Sequence, residues 1–204
     1  MSAPDAVIFD FGNVLIRWDP FAAVAVPLGE DEARRFFDGF DFASWNQAQD
    51  AGRSWADGLA ELERQAPELS RHGRAYLDNF PESLAGGLIE ENVALLRELR
   101  AHGVRLYGLT NWSSDTYYQR AVERLTFLDA LDDVLVSGDV GVVKPDPRIY
   151  EIAAERFGVR PSATVFIDDS QPNVDAARQV GFDAVRFTDP DQLRRDLRAR
   201  DLPV

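Results

Sequence analysis

A parallel α/β fold with a helical module inserted after its first strand is what the sequence predicts, and three observations carry that reading. Short apolar runs recur along the chain with helix-length segments between them. Several of those segments stop at a glycine, as helices do when a left-handed residue closes them. The interval between the first and second apolar runs is far too long for one crossover helix. Strands alternating with helices build a parallel sheet covered on both faces, and a long interval is best filled by a domain of its own.

Taken in order, residues 5–10 (DAVIFD) form a buried strand ending at Asp10, broken by Gly12 and Asn13. Residues 17–86 predict the inserted module, with helices near 21–27, 30–38, 45–65 and 68–79. The module is rich in Phe and Trp, which reads as its own small core; Trp18 and Asp19, with Trp112 after the second strand, are the nearest candidates by sequence to face the strand ends. Gly86 and Gly87 mark the return. Residues 90–102 place Val93, Leu96 and Leu99 at helical spacing before Gly103. Strands follow at 104–110, 134–137, 164–167 and 184–187, with helices over 147–157 before Gly158 and 172–180 before Gly181. The predicted domains are therefore a core of residues 1–16 and 87–204 and an insert of 17–86. His72 and His102 have no partner pattern and read as surface residues. Arg194, Arg195, Arg198 and Arg200 read as the solvated face of a last helix.

Composition narrows the function. The chain has 204 residues, 45% of them hydrophobic, enough for a folded core. It has no cysteine, which removes disulfides, thiolate metal sites and cysteine nucleophiles together. A net charge of −13 makes nucleic acid and anionic membranes poor partners. No apolar run is long enough to span a bilayer and the amino terminus lacks a basic stretch and cleavage site, so a cytoplasmic protein is expected.

In open parallel sheets, ligands bind beyond the carboxyl ends of the strands, where the strand order reverses. Here the first strand ends at Asp10, the second at Thr110 and Asn111, and the fourth at Asp168 and Asp169, while Lys144 follows the third after a loop. Carboxylates gathered on one edge are costly unless a cation neutralises them, and an all-oxygen set suits Mg²⁺.

Asp10-Phe11-Gly12-Asn13-Val14-Leu15, Thr110-Asn111, Lys144-Pro145-Asp146 and Asp168-Asp169-Ser170 resemble, in order, the four motifs of the haloacid dehalogenase-like hydrolases. The resemblance spans nearly the whole chain, and the helical insert resembles that family's C1 cap. It implies a Rossmann-like core and a role for each residue. Asp10 is implied as the nucleophile, attacking phosphorus to give an aspartyl-phosphate. Its second oxygen, the Gly12 carbonyl, Asp169 and, directly or through water, Asp168 are implied as the Mg²⁺ ligands. Thr110 and the Asn111 amide are implied to hold the phosphoryl oxygens, with Lys144 offsetting charge. Asn173 is implied to orient the fourth-strand loop.

One position departs from the pattern. Phosphatases of this family place a second Asp two residues after the nucleophile, to protonate the leaving group and activate water; here that residue is Gly12. General acid–base help is worth about 10²–10⁴-fold, so a good leaving group, a substitute acid such as Asp19 or a metal-organised water, or weak chemistry must answer for it. The resemblance implies a Mg²⁺-dependent phosphohydrolase for a small phosphorylated metabolite, sugar phosphates first. The alternatives are a metal-independent 2-haloacid dehalogenase using the same Asp10, disfavoured by the paired acids at 168 and 169, and a non-catalytic binder of phosphometabolites. A signalling receiver domain has its acidic pair near the first strand, which this chain order contradicts.

Overall fold

A computed structural model describes residues 3–204. Five strands, β1 (Ala6–Phe9), β2 (Arg105–Thr110), β3 (Asp133–Val136), β4 (Thr164–Asp168) and β5 (Asp183–Arg186), form one sheet in the order β3-β2-β1-β4-β5. Every pairing is parallel, with Ile8 opposite Tyr107 on one side and Phe166 on the other. β1 is buried along its length, which explains why it reads as an unbroken apolar run rather than an alternating one. Val7, Phe9, Val165 and Ile167 point to one face and Ile8, Leu109 and Phe166 to the other, each joining its own core cluster. The chain runs from β1 outward to β3, then returns to β4 on the opposite side of β1, so the switch point lies between β1 and β4.

Between β1 and β2 the chain forms α1 (Pro20–Leu28), α2 (Glu30–Gly39), α3 (Phe42–Asp50), α4 (Trp55–Gln65), α5 (Ser70–Asp78) and α6 (Glu90–Ala101). Ile16 bridges to Leu88, and Arg17 N–H donates to the Gly87 carbonyl at 3.0 Å, so the outgoing and returning strands of α1–α5 lie side by side. The rest of the chain supplies the short turns α7 (Ser114–Thr116) and α8 (Ser137–Val140), then α9 (Pro147–Phe157), α10 (Gln171–Val180) and α11 (Pro190–Arg198). Helices α6, α9 and α10 end where glycine was read as their stop, at Gly103, Gly158 and Gly181, all with positive φ. Among the described residues, no helix is long and apolar enough to cross a membrane.

Two expectations for the helical segment fail. The single helix over 45–65 is two, α3 and α4, separated by Ala51–Ser54. Ser54 caps α4 by accepting from Asp57 N–H at 3.1 Å while its own hydroxyl donates to the Asp57 carboxylate at 2.6 Å. His72 is not a surface residue: it is 0% exposed, stacked on Phe36 at 5.8 Å, with Nε2 2.7 Å from Glu32 Oε2. Its helix turns that side toward the aromatic cluster of Phe36, Phe42, Trp45 and Tyr76, which the chain order alone does not reveal. His102 is exposed, as expected.

Candidate active site

Asp10 leaves the sheet one residue beyond β1, its N–H still donating to the Ile167 carbonyl of β4 at 2.9 Å. The chain then turns at Asn13, whose φ of +55° suits a residue tolerant of the left-handed region. Asn13 Oδ1 fixes the turn by accepting from Trp18 N–H at 3.1 Å. On the far side of the switch point, Asp168 closes β4 and Asp169 follows it. Asp10, Asp168 and Asp169 each bring a carboxylate oxygen within 4.8 Å of the others.

Lys144 reaches this cluster from the loop after β3. Its Nζ lies 2.8 Å from Asp10 Oδ1 and 2.6 Å from Asp168 Oδ2, and donates to the Leu109 carbonyl at 3.1 Å. Lys144 is 2% exposed and Asp168 0%. Burial opposes the charge on Lys144, but Asp10 and Asp168 together outweigh it and hold its pKa above the ordinary lysine value. For Asp10 the balance goes the other way. Burial is the largest influence, Lys144 counters it, and the Asp168 and Asp169 charges add to it, so the Asp10 carboxyl is pushed up to about 7. Burial and Asp168 likewise raise Asp169. Three acids thus share one buried cation.

Both oxygens of Asp168 are engaged. Oδ1 accepts from Ser170 N–H at 2.9 Å and from Asn173 Nδ2 at 2.9 Å, and Oδ2 accepts from Asn173 at 3.1 Å besides Lys144. Asp169, half-buried at the cavity edge, has no such set of donors among the described residues. The donors on offer are hard carboxylate oxygens beside one ammonium, a set that suits Mg²⁺ and gives a soft metal no ligand it would prefer.

Thr110, at the end of β2 and 1% exposed, and Asn111 line the same cavity. The Asn111 side chain is committed elsewhere: its Oδ1 accepts from Lys144 N–H at 2.8 Å and its Nδ2 donates to the Lys144 carbonyl at 2.9 Å. Asn111 therefore holds the Lys144 loop in place. Asp146 caps α9 through Arg148 N–H at 2.9 Å.

The cavity measures about 680 Å³ and is roofed by the helical segment. Trp18 and Trp112 border it, as the sequence reading placed them, together with Phe37, Phe42 and Phe80, which it did not single out. Asp19 does not reach it. It is exposed and caps α1 by accepting from Phe21 N–H at 3.0 Å, so it is not the substitute acid. A different carboxylate, Asp50 at the end of α3, borders the cavity instead.

The model of the haloacid dehalogenase-like hydrolases matches residues 4–181. A phosphatase of Mycobacterium tuberculosis is 31% identical over 97% of this chain and 93% of its own, and a sesquiterpene phosphatase of Aspergillus oryzae is 27% identical over 90% of both. An (S)-2-haloacid dehalogenase of Burkholderia cepacia is 33% identical over 45% of this chain. Several other relatives are much longer than the part this chain matches, which is 19% to 56% of them. Among solved structures, the magnesium complex of a HAD family enzyme from Bacteroides thetaiotaomicron superposes with a TM-score of 0.72 at 20% identity, covering 95% of this chain and 100% of that one. With the sheet order, the strand-end carboxylates and a match over most of its length agreeing, this chain belongs to the haloacid dehalogenase-like hydrolases.

Proposed function

We propose that this protein is a cytoplasmic, Mg²⁺-dependent phosphohydrolase that cleaves a small phosphorylated metabolite through an aspartyl-phosphate on Asp10. The single observation that carries the reading is the meeting of Asp10, Asp168 and Asp169 within 4.8 Å beside Lys144. A dehalogenase needs one aspartate facing carbon, and two further acids beside it oppose attack. A phosphohydrolase needs those acids to hold a divalent cation. When bound by Asp10, Asp169 and the Gly12 carbonyl, the cation would neutralise the acids and draw charge from the phosphoryl oxygens.

The chain's own residues do the rest. The Thr110 hydroxyl and Asn111 N–H hold the phosphoryl group in line with Asp10. Lys144 keeps the nucleophile oriented and offsets the negative charge that builds at phosphorus. Asp168, gripped by Asn173 and Ser170 N–H, fixes Lys144. The helices between β1 and α6 act as the cap that excludes water and selects the leaving group.

The cavity wall refines the substrate. Sugar phosphates are the first expectation from the family resemblance. The aromatic side chains of Trp18, Phe37, Phe42, Phe80 and Trp112 favour a leaving group with an apolar body, as the sesquiterpene phosphatase relative handles. Phosphate release from a panel of sugar, alkyl, aryl and isoprenoid phosphates, with Mg²⁺ or with EDTA, tests both. Turnover that needs Mg²⁺ and vanishes in Asp10→Asn is expected. Halide release from a 2-haloacid in EDTA, with no phosphate release from the panel, overturns the reading.

A further inference from the structure

We infer that Asp50 is the general acid and base of this site, taking the part that Gly12 leaves empty; this rests on the phosphohydrolase reading above. Asp50 is contributed by the far end of α3, yet it borders the same cavity as Asp10, Thr110 and Asp169. Three contacts draw that end of α3 onto the strand ends. The Ser137 hydroxyl of α8 donates to the Asp50 carbonyl at 2.6 Å, the Trp55 indole donates to Ser113 Oγ at 2.7 Å, and Ser113 N–H faces the Asp50 carboxyl.

The carboxyl itself is oriented by a short relay. The Tyr76 hydroxyl of α5 reaches Asn46 Oδ1 at 3.4 Å, and Asn46 Nδ2 donates to Asp50 Oδ2 at 3.0 Å. Among the described residues no cation pairs with it. The nearby Arg53 is turned away, donating to Gln49 Oε1 at 2.5 Å and to the Trp45 carbonyl at 3.0 Å. The groups facing Asp50 are therefore Asn46 from its own helix, Tyr76 from α5 and Ser113 N–H after β2, with the Asp10 cluster elsewhere on the cavity wall. A half-buried carboxyl with no counter-ion is a poor stabilising element, and its setting is that of a proton donor. Burial, only partly offset by Ser113 N–H, pushes Asp50 up to about 7, where it can hold a proton and also take one back.

The proton balance closes over two steps. As Asp10 bonds to phosphorus and the ester P–O bond breaks, the leaving oxygen keeps the electron pair and takes the Asp50 proton, departing as the alcohol. Water then attacks the phosphorus of the aspartyl-phosphate, giving its proton to the Asp50 carboxylate. The P–O bond to Asp10 breaks, inorganic phosphate leaves, and both carboxyl groups return to their starting state. In this account Asp50 touches the ester oxygen, whereas Asn46 is a positioning residue.

The test is a leaving-group series, from acetyl phosphate and p-nitrophenyl phosphate to an unactivated alkyl phosphate, run on wild type, Asp50→Asn, Asp50→Glu and Gly12→Asp/Asp50→Asn. A Cβ at Gly12 would meet nothing within 4 Å, so a side chain there has room. In Asp50→Asn, attack on the alkyl phosphate should fall about 10²–10⁴-fold. Formation of the aspartyl-phosphate from acetyl or p-nitrophenyl phosphate should change only a few-fold, since those groups leave without a proton. Asp50→Glu should keep part of the alkyl activity, and Gly12→Asp should restore it in the Asn background. Equal loss across the series, or none, overturns the role of Asp50 while leaving the phosphohydrolase reading intact. Wild-type protein that releases phosphate from no member of the series overturns the phosphohydrolase reading and this role with it.

Discussion

Replacing Lys144 by Met should uncover how much of the fold is held against its own active site. The ammonium is buried between Asp10 at 2.8 Å and Asp168 at 2.6 Å, and the methionine that replaces it fills similar space without charge. Removing one partner of a buried pair costs about 3–5 kcal/mol, because the remaining charge is left uncompensated. Against a total of about 5–15 kcal/mol for an ordinary domain, that is a large share. The loss should depend on pH in a definite direction. Asp10 already sits at about 7 with Lys144 present, and losing that cation pushes it higher still. The folded variant then binds more protons than the unfolded chain, so its stability is present at low pH and lost as pH rises from the ordinary carboxylate range through the raised value. Urea unfolding in EDTA should show a modest deficit near pH 5 and a larger one near pH 8, part of it recovered by Mg²⁺. A deficit of equal size at both pH values would refute the idea that Lys144 acts by compensating carboxylates. So would the absence of any deficit.

Three further outcomes follow from the same geometry. Mg²⁺ should raise the unfolding midpoint of the wild type more at pH 8 than at pH 5, since Asp10 holds a proton up to about 7 that a metal must displace; urea titration at the two pH values reads this directly. Asp10→Asn should abolish phosphate release and yet stabilise the metal-free protein at pH 8 by about 1–3 kcal/mol, because a net unfavourable buried charge is gone; a less stable variant would contradict the pKa assigned to Asp10. Gly108→Ala should destabilise by about 1–3 kcal/mol, since its Cβ would sit 2.5 Å from the Phe11 ring next to Asp10; calorimetry giving a wild-type midpoint would disprove that the two are in close packing.

Much of this molecule was legible in its sequence, and the failures share a cause. Strand β1 announces itself because burial on both faces leaves no polar position in AVIF. Helices α6, α9 and α10 stop where glycine supplies the left-handed residue that closes them. In each case the signal is local. The break between α3 and α4 is also local, carried by the capping pair Ser54 and Asp57, but the buried apolar residues Trp45 before it and Trp55 and Leu62 after it make the stretch look like one helix. His72 and Asp50 are another matter. A histidine on a polar helix and an acid at a helix end look solvated from their neighbours in sequence. What encloses them lies 36 residues away in one case, at Phe36, and 63 in the other, at Ser113. The strand-end acids escaped this difficulty because the sheet order brings all strand ends to one edge, whatever the side chains do.

Gly12 joins the legible and the illegible parts. Had the turn after Asp10 required glycine, the missing acid would be a by-product of backbone geometry. It does not require it: the left-handed residue of that turn is Asn13, with φ of +55°, and the space beside Gly12 is open. The absent carboxylate is therefore not forced by the fold at that point, and it leaves the Asp10 side of the cavity free of one more negative charge beside three acids and a single lysine. Moving the proton-handling group to α3 separates it from that crowded cluster. It also ties proton transfer to the helical segment, so that the acid is in place only when Ser137 and Ser113 hold the end of α3 against the strand ends. On this view the segment that excludes water also completes the catalytic set, and closure and chemistry are coupled through one side chain.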